Sequence, residues 1–176
     1  MASKIKPQQL VFIALCSALT VVCSYIYLPV GSINLTLQVF AVSFAGFFLG
    51  AKKGAISILV YVLLGLIGIP VFSGFKGGLG VLFNATGGFI LGFVPMAFLS
   101  GIKKHPIIFS FLGLIICHIL GVAVFSLVTG RGVLESIVVA SLPYILKDEI
   151  LVLLAYKTSG IVKKRINYIN KEDSFI

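Results

Sequence analysis

Charged side chains are scarce in this 176-residue chain and make up only 11% of its residues. A soluble domain carries roughly 25% charged residues, so there is too little polar surface here to coat a water-soluble globule. What the chain has instead is apolar: 59% of its residues are hydrophobic and its mean hydropathy is +1.16. Apolar runs recur along the whole sequence. They predict an integral membrane protein, and the first run, being one of many, is not a signal peptide.

Cysteine and histidine are also scarce, with three and two residues respectively. Cys16, Cys23 and Cys117 lie inside apolar runs without metal-ligand spacing, so we expect buried thiols and neither a disulfide framework nor a metal site. The sequence contains no HExxH, Walker A or GxSxG motif. We therefore expect no enzyme, no cofactor, and no ability to power transport alone by hydrolysing ATP.

Six helical spans are predicted, because backbone groups in lipid must form their hydrogen bonds within the chain. The expected spans run from about Leu10 to Leu28, Leu35 to Gly50, Gly54 to Ile69, Val81 to Gly101, Ile107 to Val128 and Pro143 to Val162. The stretch from Arg131 to Leu142 contains two charges and is a poor span. The prediction is one domain over residues 1–176, an all-α integral membrane bundle at 8–162 followed by a basic cytoplasmic tail at 163–176.

Positive charges fall mainly on one side of these six spans. That side holds Lys4, Lys6, Lys52, Lys53, Lys103, Lys104, Lys157, Lys163, Lys164, Arg165 and Lys171. The opposite loops hold only Lys76 and Arg131, while Lys147 lies within the last span. This asymmetry predicts that both termini are cytoplasmic. It also makes the net charge of +9 a topology signal rather than an indication of nucleic-acid binding.

Ionisable groups inside apolar segments are costly and mark functional sites by default. Asp148 and Glu149 lie one to two turns into the last span, with Lys147 beside them. A ligand-binding carboxylate is one interpretation. The other is a cluster among lipid headgroups in which Lys147 pairs locally.

Two further polar groups are expected at the same outer end of the bundle. The first comprises Lys76 in the Gly-rich loop at 73–80, and Asn84, Thr86 and Gly88 near the start of the fourth span. Glycines there would let backbone approach a ligand closely, although a flexible, solvated hairpin is the alternative. Gln38, in the second span, either faces a ligand or makes an interhelical hydrogen bond. All three groups could converge on one pocket.

Two other features remain open on sequence grounds. His118 lies near the middle of the fifth span, where it either relays protons or is a packed, neutral histidine bonded to a neighbouring helix. Ala14 and Ala18 form a small-xxx-small pair on the first span. Such a pair allows close helix approach, either within the bundle or to another membrane subunit.

Several segments resemble the BioY family, the biotin-binding S components of energy-coupling-factor (ECF) transporters. They are Leu35 to Phe40, Ala45 to Gly50, Tyr61 to Phe72, Thr86 to Phe89, and Leu142 to Tyr144 followed by Asp148. Ala14 and Ala18 match the alanine pair by which S components dock on the shared coupling subunit. The resemblance covers about residues 8–160.

The resemblance implies an S-component-like bundle in a prokaryotic plasma membrane. It implies that the chain binds biotin from outside and delivers it with a transmembrane coupling subunit and ABC-type ATPases. A different vitamin or small carboxylate is the alternative ligand. A membrane enzyme using Asp148 and Glu149 is a remote alternative, because adjacent residues lie about 100° apart on a helix and do not form one paired site.

Two departures from the family pattern concern the polar site. Leu151 replaces a lysine three residues after the aspartate, and Lys147 replaces the glycine before it. One hypothesis is that Lys147 leans inward over Leu151 and restores the missing cation. Lys76 is the competing candidate for binding a ligand's carboxylate.

Overall fold

The computed structural model describes residues 6–30 and 33–172, with side chains to residue 166. Lys4 and the end of the predicted tail at 173–176 lie outside the described residues. The elements in chain order are α1 (Pro7–Tyr25), β1 (Tyr27–Val30), β2 (Ile33–Thr36), α2 (Gln38–Leu49), α3 (Ala51–Leu66), a 3₁₀ helix (Leu79–Phe83), α4 (Gly87–Ser100), α5 (Pro106–Thr129), α6 (Val133–Ala140) and α7 (Leu142–Glu172). The expectation of a helical bundle is therefore confirmed.

Helix α2 lies at the centre of the bundle and packs against α1, α3, α4 and α7. The main core lies around it and contains large, fully buried side chains such as Ile58, Tyr61 and Met96. A smaller cluster, which includes Phe125 and Tyr144, lies between the hairpin, α5 and α7. The ends of α2, α4, α5 and α7 thus come together beside the hairpin.

A short antiparallel hairpin, β1–β2, stands where the sequence predicted the end of the first span and the start of the second. Helix α1 ends at Tyr25 rather than at about Leu28, and α2 begins at Gln38 rather than at about Leu35. The two strands pair from Tyr27 with Thr36 to Val30 with Ile33. Only the outer ends of the strands were assigned to the spans, because they continue the apolar runs; residues 29–34 fall in the predicted connection.

Other boundaries also differ from the prediction, and α3 begins and ends three residues before the expected bounds of Gly54 and Ile69. The fourth helix begins at Gly87, because the residues before it form a 3₁₀ helix. The weakly apolar stretch after Arg131 contains the short helix α6. Helix α7 continues to Glu172, well past the expected end at Val162, so much of the predicted tail is helical.

Close contact between α4 and α5 depends on glycine. A Cβ atom at Gly88 would lie only 2.1 Å from the backbone oxygen of Leu120, and one at Gly92 would lie 2.8 Å from Cα of Cys117. No larger residue fits at either position without moving α5. Gly88 therefore serves helix packing, a use of small residues that is common between membrane helices.

Two helices, α1 and α5, are long and apolar enough to cross a membrane by length and composition, and α2 and α4 are apolar but shorter. Helix α5 exposes a continuous apolar face made by Ile108, Leu112, Ile115 and Ile119. Exposed apolar surfaces of this kind mark contact with another apolar phase. The count of six spans and their orientation stay predictions.

Candidate functional site

An enclosed cavity of about 110 Å³ lies at the end of the bundle next to the hairpin. Its walls are largely apolar and include Val39, Phe72, Ile90 and Phe93. Its polar lining is contributed by the hairpin, the loop after α3, and helices α2, α5 and α7: Asn34, Thr36, Gln38, Ser73, Lys76, Thr86, His118, Tyr144, Lys147 and Asp148. An apolar cavity with a few convergent polar groups is the usual form of a small-molecule site.

Asp148 is the buried charge of this cavity, and only 5% of the residue is exposed. Lys147 Nζ lies 2.6 Å from its Oδ1 as an ion pair. The contact lacks hydrogen-bond geometry, so Oδ1 has no hydrogen-bond donor among the described residues. Lys147 Nζ also donates to the Thr36 carbonyl at 2.8 Å. The burial of Asp148 argues against the interpretation of a cluster among lipid headgroups. The local pairing with Lys147, which belonged to that interpretation, is present.

His118 approaches the other oxygen of the same carboxylate, with Nε2 at 3.4 Å from Asp148 Oδ2. Its Nδ1 lies 2.9 Å from Oγ of Ser141, at the junction of α6 and α7. One neutral tautomer satisfies both contacts, with Ser141 donating to Nδ1 and Nε2–H directed at the carboxylate. The edge of the ring packs against Phe89 at 5.8 Å between centroids. The packed histidine bonded to a neighbouring segment is therefore confirmed, and it also lines the cavity.

Gln38 fulfils both of its alternatives. It lines the cavity, and its Nε2 donates to the hydroxyl of Tyr61 on α3 at 2.6 Å. The hydroxyl of Thr36 donates to Oε1 at 3.0 Å. The amide is thereby fixed between the hairpin and α3, so its position is set before any ligand arrives.

Tyr144 attaches the hairpin to α7. Its hydroxyl lies 2.7 Å from the Ile33 carbonyl and 2.9 Å from the Val30 carbonyl. One turn further along α7, Lys147 binds the Thr36 carbonyl. Residues three apart lie on the same helix face, so one face of α7 both holds the hairpin and supplies the cavity's charges.

Lys76 reaches the cavity from the loop after α3. The loop is closed by paired backbone hydrogen bonds between Phe72 and Lys76, and Ser73 accepts a hydrogen bond of 2.9 Å from Asn34 of the hairpin. Lys76 forms no ion pair within the part of the chain that the structure describes. It therefore differs from Lys147, whose charge is already matched by Asp148.

Not every predicted site residue reaches the cavity. Gln38, Lys76, Thr86, Lys147 and Asp148 line it together. The remaining predicted residues do not: Asn84 is exposed at the end of the 3₁₀ helix, Gly88 packs on α5, and Glu149 points elsewhere.

Leu151 is buried in the main core and is not among the lining residues. The ammonium of Lys147 lies against the Thr36 carbonyl and Asp148, so it does not lean over Leu151 as proposed. Five polar lining residues were not among the predicted site residues: Asn34, Thr36, Ser73, His118 and Tyr144. His118 could have been identified by the rule that identified Asp148, because it is also an ionisable group inside an apolar run.

Ala14 and Ala18 are both exposed on the outward face of α1. The opposite face is buried: Ser17 donates to the Ser57 carbonyl of α3 at 2.6 Å, and the Ser57 hydroxyl donates to Ile13 at 2.9 Å. Ala14 and Ala18 were interpreted either as an internal packing contact or as a docking surface. They do not pack inside the bundle.

The charges lining the cavity do not cancel. Among its aspartate and lysine side chains, Asp148 contributes one negative charge, and Lys147 and Lys76 contribute two positive ones. Ion pairing accounts for Lys147 alone. A ligand that carries one negative charge and several N–H donors complements this arrangement, since the donors can bind Asp148 and the anion can bind the free cation.

The fold and the cavity together define a helical-bundle protein with a mostly apolar cavity lined by a few polar side chains. The chain belongs to the BioY family, whose family model matches residues 1–168. It is 34% identical over 163 residues to the probable biotin transporter BioY of Pyrococcus horikoshii, which covers 92% of this chain and 97% of that protein. It is 37% identical over 164 residues to the biotin transporter BioY of Thermotoga maritima, with 89% and 96% covered.

A solved structure has the same fold. It is described as the crystal structure at 2.1 Å of the S-component for biotin from an ECF-type ABC transporter. The TM-score is 0.83 at 24% identity, over 92% of this chain and 95% of that one. The resemblance inferred from the sequence is thereby confirmed, and this family is one of transporters rather than enzymes.

Proposed function

We propose that this chain is the substrate-binding subunit of a prokaryotic ECF transporter and that it binds biotin in the cavity between the hairpin and α7. The observation that carries the proposal is Asp148, a buried carboxylate with an oxygen that lacks a hydrogen-bond donor, in a mostly apolar cavity. The full-length similarity to proteins named biotin transporters supports biotin as the ligand.

Biotin has three parts that match three parts of the cavity. Its ureido ring carries two N–H groups, which can donate to the oxygens of Asp148. Its thioether ring is apolar and fits against walls such as Phe72 and Phe93. Its tail ends in a carboxylate, which requires a cation at the rim.

Lys76 is the cation that best suits this carboxylate. Lys147 already contacts both Asp148 and the Thr36 carbonyl, so recruiting it would break two interactions. Lys76 has no ion-pair partner within the described residues and lies on a loop at the cavity. The cavity of about 110 Å³ is below the roughly 300–1,000 Å³ typical of ligand pockets. Its rim must therefore widen when a ligand enters.

The test compares biotin with biotin amide, which lacks the negative charge. Lys76→Met should weaken biotin by about 1.5–3 kcal/mol, the range for a hydrogen bond to a charged group, and should weaken the amide little. Lys147→Met should affect both ligands similarly. Lys104→Met, which removes a lysine remote from the cavity, is the matched control and should change neither affinity.

Each other outcome has a defined meaning. If Lys147→Met discriminates between the two ligands and Lys76→Met does not, Lys147 holds the carboxylate. If neither discriminates, no lysine holds it and a different vitamin or small carboxylate becomes the better ligand. Identification of the small molecule that copurifies with the protein from biotin-replete cells settles that choice directly.

The partners belong to the same proposal. Ala14 and Ala18 lie side by side on an exposed face of α1, where a coupling subunit can approach the backbone closely. ABC-type ATPases would supply the energy that this chain lacks. We place the bundle in the cell membrane as six spans, counting α7 as the sixth, with both termini in the cytoplasm; the distribution of lysine and arginine supports this orientation.

A further inference from the structure

A second cavity lies at the far end of α7 from the ligand site. It measures about 450 Å³ and is bounded by the end of α2, the α4–α5 connection and the second half of α7. We call it the basic cavity, because Lys103, Lys157, Lys163 and Lys164 line it and no acidic residue does. Its role is independent of which ligand occupies the site at the other end.

The positive charges of the basic cavity are not neutralised. None of its four lysines forms an ion pair in the part of the chain with described side chains. The closest preceding carboxylate on α7 is Glu149, about 12 Å before Lys157 at 1.5 Å per residue. Like charges so placed repel one another, and binding an anion would relieve this repulsion.

Lys163 is exposed, and its side chain is fixed at this cluster by one hydrogen bond. Its Nζ donates to the Phe47 carbonyl at 2.6 Å, in the last turn of α2. Burial, and to a smaller extent the charge of Lys103, lower the pKa of Lys163. The fold thus keeps two exposed cations from different segments, Lys103 and Lys163, near each other.

The basic cavity also has an apolar side. The ring of Tyr156 packs edge-on against Phe47 at 5.3 Å between centroids and remains 40% exposed. Ile161, another lining residue, is 62% exposed. A ligand here meets cations and exposed apolar side chains next to one another, and this combination suits a phospholipid at the membrane boundary.

We propose that the basic cavity binds the headgroup of an anionic membrane phospholipid, with its phosphate among Lys103, Lys157 and Lys163 and its acyl chains along the exposed apolar side of α7. A free phosphate ion would use only the cations. An acidic segment of a partner protein would bind the lysines. It would not cover Tyr156 and Ile161 with apolar surface, as an acyl chain would.

The test measures retention of phosphatidylglycerol by the purified full-length protein, using native mass spectrometry and titration in neutral detergent. The wild type should retain phosphatidylglycerol in preference to phosphatidylcholine. The double variant Lys103→Gln/Lys163→Gln should bind phosphatidylglycerol about tenfold more weakly. The matched control is Lys52→Gln/Lys104→Gln, which removes two exposed lysines from the same end of the bundle but outside the cavity, and it should lose less than about twofold.

Four results would overturn the proposal. Equal losses in both double variants would indicate diffuse attraction, and no loss in either would exclude the cavity. Inorganic phosphate that competes at the same concentration as the lipid would assign the site to a free anion. A glutamate-rich peptide that displaces the lipid equally well would assign it to an acidic protein segment. Unchanged biotin affinity in Lys103→Gln/Lys163→Gln confirms that the variant is folded, so a loss of lipid binding is then specific.

Discussion

Removing the carboxylate of Asp148 should destabilise the empty protein, quite apart from its effect on ligand binding. In Asp148→Ala the ammonium of Lys147, whose side chain is 20% exposed, loses the partner 2.6 Å away. Breaking a fully buried ion pair costs about 3–5 kcal/mol. Lys147 is partly exposed and keeps its hydrogen bond to the Thr36 carbonyl, so we expect a cost of about 2–3 kcal/mol. For a chain of this length that lowers Tm by about 4–12 °C.

Thermal unfolding can be followed through the three cysteines, all of which are buried. A fluorogenic maleimide reacts with them as the bundle opens, which suits a chain that has no tryptophan. Glu149→Ala is the matched control, because it removes the adjacent carboxylate, which does not line the cavity. It should change the free energy of unfolding by no more than about 0.5 kcal/mol.

A compensating variant separates charge imbalance from other damage. Asp148→Ala/Lys147→Met removes both partners, so at least half of the lost Tm should return while affinity for the ligand does not. The reasoning is refuted if Asp148→Ala leaves Tm unchanged. It is also refuted if the double variant is as unstable as the single one, because the loss would then reflect packing rather than an unpaired cation.

Three further predictions test the hairpin, the docking face and the topology. Tyr144→Phe should cost about 1 kcal/mol of stability through its lost hydrogen bond; an unchanged Tm in the maleimide assay would mean that the hydroxyl does not hold the hairpin. Tryptophan at Ala14 and Ala18 should prevent copurification of the coupling subunit while ligand binding to the isolated protein persists, and parallel loss of both would disprove docking. In a background without native cysteines, a cysteine at Gly77 should react with an impermeant reagent on intact cells and one at Lys103 should not; the reverse pattern would invert the orientation.

The helices were predictable where apolar length alone decides the structure. Helix α5 differs from its predicted bounds by one residue at each end, because a charged loop precedes it and Gly130 follows with a positive φ of 70°. The ends of the β1–β2 hairpin were not predictable, because Tyr27, Leu28 and Leu35 continue the apolar runs beside them, although Pro29 and Gly31 between the predicted spans are typical turn residues. The hairpin's anchor, Tyr144, lies 111 residues further along the chain from Ile33, and no local pattern reveals such a contact.

Part of the candidate site was predictable, because a polar residue inside an apolar run is unusual. That rule identified Asp148, Lys147 and Gln38, all of which line the cavity. It did not place His118 among the ligand-binding residues, because a proton relay and a packed histidine were the two interpretations considered there, and His118 lines the cavity. Gly88 packs against α5 and is not among the lining residues, because a family motif says which residues recur but not which neighbour each one faces.

Helix α7 joins the two ends of the bundle as a single unbroken element from Leu142 to Glu172. Fifteen residues separate Asp148 from Lys163, a distance of about 22 Å along the axis. Because an unbroken helix tilts as one body, a small tilt at one end displaces the other end. A tilt of only about 5° at the ligand cavity displaces Lys163 by about 2 Å, which is enough to break its hydrogen bond to α2. A change in the position of α7 at the ligand-site cavity therefore also moves the opposite end of the bundle, without any change in the helix itself.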